Sequence, residues 1–116
     1  MKRDKLYISR PALVTACGIG MEPLWKQLST ADNSAIRPMR STFGGREFYA
    51  ATVDDGLLSP VPAPHDTHIM RLAQTALAEL DPTLQRALSL YGSGRIGACV
   101  GGCDNGSERS IQAHKS

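Results

Sequence analysis

Aromatic side chains are scarce in this chain: two Phe, three Tyr and one Trp make up 5% of its 116 residues. So few ring faces leave little on which nucleic-acid bases could stack. An excess of charge of one sign is also lacking. Thirteen Lys and Arg stand against eleven Asp and Glu, a net charge of +2 with the signs interspersed, which gives no footprint for nucleic acid or an anionic membrane. The three cysteines, Cys17, Cys99 and Cys103, are odd in number and lack disulfide-scaffold or zinc spacing, as expected of free thiols in a reducing compartment. No apolar run approaches the roughly 20 residues that cross a bilayer. Met1 to Lys5 is charged, but Ser9, Arg10 and Pro11 interrupt the apolar residues after it, so no secretory signal is formed. What is present, 41% hydrophobic and 21% charged residues, is a globular composition. The expectation is a soluble, cytoplasmic chain that is one domain or part of one.

Local patterns place the elements. Leu6 to Ala16 is rich in strand formers, with Pro11 marking a bend or an edge position. Cys17-Gly18-Ile19-Gly20 turns the chain, and Glu22-Pro23 opens a short helix whose Leu24, Trp25 and Leu28 share an apolar side. Asp32-Asn33-Ser34 ends that helix. Phe48 to Val53 reads as a second strand, and Ser59 to Pro64, with three prolines, as a surface loop. Ile69, Leu72, Ala73, Ala76, Leu77 and Leu80 have the spacing of one buried helix face from about Thr67 to Leu80, capped by Asp66 or Thr67 and limited by Pro82. A short helix over Thr83 to Leu90 comes next. Arg95 to Gly101 is continuously apolar in its middle and reads as a third, central strand. Strand, long helix, strand predicts a right-handed crossover with parallel strands. The fold class expected is therefore α/β.

Motifs that invite a chemical reading are weak. Gly92-Ser93-Gly94-Arg95-Ile96-Gly97 matches the dinucleotide pattern G-x-G-x-x-G, but these glycines precede the expected strand, where the fingerprint must follow one. Gly101-Gly102-Cys103-Asp104-Asn105-Gly106 lies at a strand-to-helix turn whose amides suit an anion; Asp104 and Glu108 put negative charge in the same place, favouring a tight structural turn. Cys103 near a helix start invites comparison with a nucleophile, but Asp104 opposes a thiolate and no histidine pattern supports it. Cys99 in its apolar strand and Cys17 at a strand end read as buried, unreactive thiols. His65 and His68 flank Asp66 and Thr67 at the start of the long helix, too few donors for a metal. Arg37, Arg40, Arg46 and Arg71 read as scattered surface cations.

Taken in order, several blocks resemble the start of a β-ketoacyl-[acyl-carrier-protein] synthase of the thiolase-like condensing-enzyme superfamily. They are Tyr7 to Gly20 (YISRPALVTACGIG), the Trp25-containing helix, Ser34 to Met39 (SAIRPM), the helix around Met70 to Leu80, and the Arg95 to Gly106 strand and turn. The resemblance spans nearly the whole chain but about the first quarter of such an enzyme. Ala16-Cys17-Gly18 and Pro11 depart from the common opening, as in a specialised branch such as aryl-polyene or polyketide ketosynthases.

The resemblance implies an incomplete N-terminal portion of a thiolase-like layered fold over 1–116, truncated at Ser116, since a helix begun near Glu108 has only about two turns. It also implies a parent activity: acylation of a cysteine, then decarboxylative condensation with a malonyl group on an acyl carrier protein, with a second ketosynthase-fold subunit as partner. The nucleophilic cysteine and two histidines of such enzymes lie beyond the matched region, so the resemblance gives this chain no catalytic, cofactor-binding or metal-binding residue and no cofactor. By itself the chain is then expected to be inactive. Two other readings are a chain-length-factor-like subunit, which keeps the fold without the nucleophile, and a self-sufficient small α/β binding module.

Overall fold

The computed structural model describes residues 5–41, 44–102 and 107–115. Over these residues the protein is mixed α/β, with three helices and two small antiparallel sheets. The first sheet is a tight hairpin of β1 (Val14–Thr15) and β2 (Gly18–Ile19), paired Val14 to Ile19 and Thr15 to Gly18. Only two residues of the expected Leu6–Ala16 strand are therefore paired. Gly18 supplies what the hairpin needs, since its φ of +134° is available to glycine alone and an added Cβ would lie 3.1 Å from Cβ of Pro23.

Helix α1 (Met21–Thr30) follows at once, with Pro23 inside its first turn, where a missing N–H costs nothing. It ends on Ala31 in the left-handed region, and Asp32 then accepts from the Ser34 amide at 2.9 Å in an Asx turn. The second sheet pairs β3 (Ile36–Arg40) with β4 (Glu47–Ala51) from Ile36 opposite Ala51 to Arg40 opposite Glu47. The expected Phe48–Val53 strand thus exists, shifted by a residue or two. Its partner β3 went unanticipated because Pro38 argues against a strand unless that strand is an edge.

Helix α2 (His68–Tyr91) is capped as expected by Thr67, whose hydroxyl accepts from the Met70 amide. It does not stop at Pro82. The two helices expected on either side of that proline form one helix of 24 residues. Asp81-Pro82 is itself a start signal, and Asp81 accepts from Gln85 at 3.1 Å. The second helical segment therefore begins on the axis of the first. The carbonyl of Ala78, which loses its donor to the proline, sits on an exposed residue.

The parallel crossover is absent from the described residues. After α2 comes a 3₁₀ turn over Ser93–Arg95, and 96–102 has no strand partner among the described residues, so the expected third strand does not form there. Such a strand is stable only when covered on both faces, and Val100 is uncovered, at 94% exposed. The expected apolar stripe of α2 is also only partly buried. Leu72, Ala76 and Leu80 are half-buried, whereas Ile69, Ala73 and Leu77 face solvent. Among the described residues the interior consists of Ala35, Leu58 and Thr75. Helix α3 (Ser107–Lys115) closes the described chain, and no helix among the described residues is long and apolar enough to cross a membrane.

Candidate functional site

The densest group of polar side chains gathers where α2 begins. A helix start leaves its first amides without partners; here two side chains accept from them, and a third reaches the ring of the helix's first residue. Thr67 takes the Met70 amide, Glu108 of α3 accepts from the His68 amide at 2.8 Å, and Asp55 lies 2.8 Å from Nδ1 of His68. Asp66 accepts from Arg71 through both oxygens, Oδ1 from Nε at 2.5 Å and Oδ2 from Nη2 at 2.7 Å. One turn further on, Thr75 accepts from the Ser59 amide at 2.8 Å and donates to the Arg71 carbonyl at 2.7 Å. The cluster therefore ties 55–59, α2 and α3 together.

The fork between Asp66 and Arg71 sets the charges. Hydrogen bonding from Arg71, and then its positive charge, hold the Asp66 carboxyl below the ordinary value of 3.8. The same bonds raise Arg71, with the more distant charges of Asp55 and Glu108 adding to the effect. A carboxyl lowered by folding contributes stability above its unfolded value, lost as the pH falls through the folded one. Acid weakening is accordingly expected below about pH 4, and Asp66→Asn should flatten that part of the profile. Urea midpoints measured across the acid range for both proteins check this; parallel profiles would contradict it.

Chemically, the cluster resembles a base held by a carboxylate, as in His68 and Asp55. Such a pair performs nucleophilic chemistry only when a hydroxyl or thiol meets the other ring nitrogen. Among the described residues no hydrogen bond joins His68 to a hydroxyl or thiol, so the pair acts as a tie between the 3₁₀ turn over Asp55–Leu57 and α2.

A second feature is a groove of about 370 Å³ between the β1–β2 turn, α1 and the base of the β3–β4 hairpin, lined by Cys17, Leu24, Gln27, Leu28 and Ile36 among others. Cys17 is half-buried in it and donates its thiol hydrogen to Oε1 of Gln27 at 3.2 Å. No imidazole stands among the described lining residues to accept its proton.

The residues singled out by sequence separate in space. His65 stays in the loop before α2, and its amide bonds Pro62, while His68 starts the helix. Among the described residues no group of three His, Cys, Asp or Glu side chains is placed to hold a metal. Arg40 pairs with Glu47 at 3.4 Å on the exposed hairpin, which also carries Arg37, and Arg46 lies just before β4. Arg71 is the exception to the scattered-cation reading, being fixed in the cluster. The Gly92–Gly97 pattern begins at the C-terminal end of α2, where Gly92 caps with a φ of +78°. Carbonyls, not amides, face outward there, the wrong polarity for a pyrophosphate. Cys99, expected to be buried, is exposed because its strand is unformed. Gly101 and Gly102 are exposed, and Cys103, Asp104, Asn105 and Gly106 lie outside the described residues.

Sequence reasoning missed Asp55, Glu108 and Thr75 as members of one cluster. Only Thr75 left a signal, as a polar residue between the apolar positions Leu72 and Ala76. Comparison with protein-family models, with curated proteins and with solved structures finds no match to this chain.

Proposed function

We propose that this chain is the amino-terminal part of a β-ketoacyl-[acyl-carrier-protein] synthase and that it is inactive alone. The observation that carries the reading is surface. The chain exposes 10087 Å², whereas a folded monomer of this mass exposes about 6,200 Å². The excess, roughly 3,900 Å², is on the scale of an obligate interface. The radius of gyration of 18.3 Å likewise exceeds the value of about 13 Å for a compact domain of this length. Apolar side chains contribute to it: Leu6, Tyr7 and Ile8 near one end of the described chain and Val100 near the other are more than four-fifths exposed.

In a ketosynthase-like arrangement these two segments are strands of the sheet, and further chain covers them. Their composition suits a covered sheet and their exposure does not, which supports the reading. The order of the sequence blocks supports it too: Tyr7–Gly20, the Trp25-containing helix, Ser34–Met39, the helix around Met70–Leu80, then Arg95–Gly106.

The whole enzyme would transfer an acyl group to a cysteine, release carbon dioxide from a malonyl carrier protein and join the resulting carbanion to the acyl carbon. That requires a thiolate, an oxyanion hole and groups that steady the carbanion. None of these roles falls on a residue of this chain, which supplies instead part of the scaffold. The carrier protein and a second ketosynthase-fold subunit are partners of the whole protein.

The intact mass of the protein bearing this sequence, taken from its native source, tests the reading. A mass several times 12.5 kDa is expected. A native mass near 12.5 kDa would overturn it, and condensation by the purified 116-residue chain would overturn its inactivity.

A further inference from the structure

The β3–β4 hairpin has two outer edges, and they differ in what they offer another strand. In an antiparallel pair, hydrogen-bonded and non-hydrogen-bonded rows alternate. The Ser41 amide bonds the Arg46 carbonyl at 2.8 Å, so rows 41/46, 39/48 and 37/50 are the bonded ones. Backbone groups in rows 36/51, 38/49 and 40/47 therefore point outward. On β3 these belong to Ile36, whose N–H is already given to the Asn33 carbonyl at 3.0 Å, to Pro38, which has none, and to Arg40. One donor of three remains, and that edge is blunted.

On β4 they belong to Glu47, Tyr49 and Ala51. Among the described residues no backbone hydrogen bond reaches these groups and no third strand pairs with β4. Three donors and three acceptors stand in a row, with Tyr49 77% exposed and Phe48 45%. An isolated two-stranded sheet is marginal in water, which makes this edge the place where the hairpin gains most from a partner.

We propose that two copies of this chain associate through β4, antiparallel about a twofold axis at Tyr49, to give one four-stranded sheet. Register selects that axis: centring on Phe48 or Ala50 pairs only two of the three outward-facing residues of each copy and makes four backbone bonds. Centring on Glu47 would set two carboxylates opposite each other, which is unfavourable. Centring on Ala51 would run β4 into 52–54, which is not strand. Centring on Tyr49 sets Glu47 against the second copy's Ala51 and makes six new backbone bonds. Pro38, Tyr49 and their two counterparts then form an apolar row on one face, while Phe48 meets the second copy's Ala50 on the other. Because both new outer edges are the blunted β3 edges, growth stops at two copies, as a closed isologous contact requires. This association does not depend on the ketosynthase reading.

Tyr49→Pro removes one outward donor at a position whose amide takes no part in the β3–β4 ladder, so the hairpin is retained. Sedimentation of the 116-residue chain should give twice 12.5 kDa for the wild type. The proline variant, with unchanged far-ultraviolet dichroism, should dissociate at least tenfold more readily. Under oxidation Tyr49→Cys should form a disulfide between the two copies at position 49, since paired Cα atoms in a bonded row lie about 5.5 Å apart. Glu47→Cys should not link to its own counterpart, roughly 13 Å away. A monomeric wild type overturns the proposal. So does association that survives Tyr49→Pro, the mark of non-specific contact between exposed apolar faces, or equal cross-linking from positions 47 and 49.

Discussion

Thr75→Val is expected to lower stability by about 2 kcal/mol, chiefly by leaving the Ser59 amide without an acceptor. Thr75 is 4% exposed and is the most buried polar residue described. Its hydroxyl holds the 55–59 segment against α2 by accepting from Ser59 at 2.8 Å, and it hands its own proton to the Arg71 carbonyl at 2.7 Å. Valine keeps the shape and has nearly the same helix propensity, so the loss isolates the hydrogen bond. The Arg71 carbonyl remains within the helix ladder, whereas the Ser59 amide depends on the threonine oxygen. Thr75→Ser keeps the acceptor and should cost less than about 1 kcal/mol. Urea titration measures both changes, and hydrogen exchange at the Ser59 amide should quicken only in the valine variant. A valine variant as stable as wild type would show that water enters this site.

Pro82→Ala is expected to act in the opposite direction, raising stability by about 2 kcal/mol. Proline within a helix is about 3 kcal/mol less favourable than alanine, because it removes an amide and crowds the preceding turn. The greater freedom of the unfolded alanine chain returns up to about 1 kcal/mol of that gain. Alanine would donate to the Ala78 carbonyl and leave the Asp81–Gln85 contact in place. Higher helical dichroism with a later urea midpoint is the expected result. An unchanged or earlier midpoint would mean that the proline ring sets a bend on which packing of the second half of α2 depends. Ala87 and Leu88, half-buried in that half, are the side chains that would report it.

Legibility along the chain followed the range of the forces involved. Helix α1, the Thr67 cap, the Asp32 turn and the proline-rich loop were readable because each rests on contacts within a few residues. β4 was readable from its own strand formers; its partner β3 was not, since a proline strand is acceptable only at an edge, and whether it is an edge depends on what lies beside it. Pro82 misled for a related reason. It is both a helix breaker and a helix starter, and the coaxial arrangement of the two segments decides which property counts.

The charged cluster illustrates the limit most clearly. Asp55, His68 and Glu108 are separated by 13 and 40 residues, and no spacing rule joins them. By itself the sequence determined the helix starts and turns, the mixed α/β character and the absence of an apolar span, because those depend on local backbone preference and composition. Tertiary structure alone decided which strands found partners, that α2 runs through its proline, and that the carboxylates of Asp55 and Glu108 meet the start of α2. Those outcomes depend on closing long stretches of chain against their entropy, and only the assembled surfaces show where that closure succeeds.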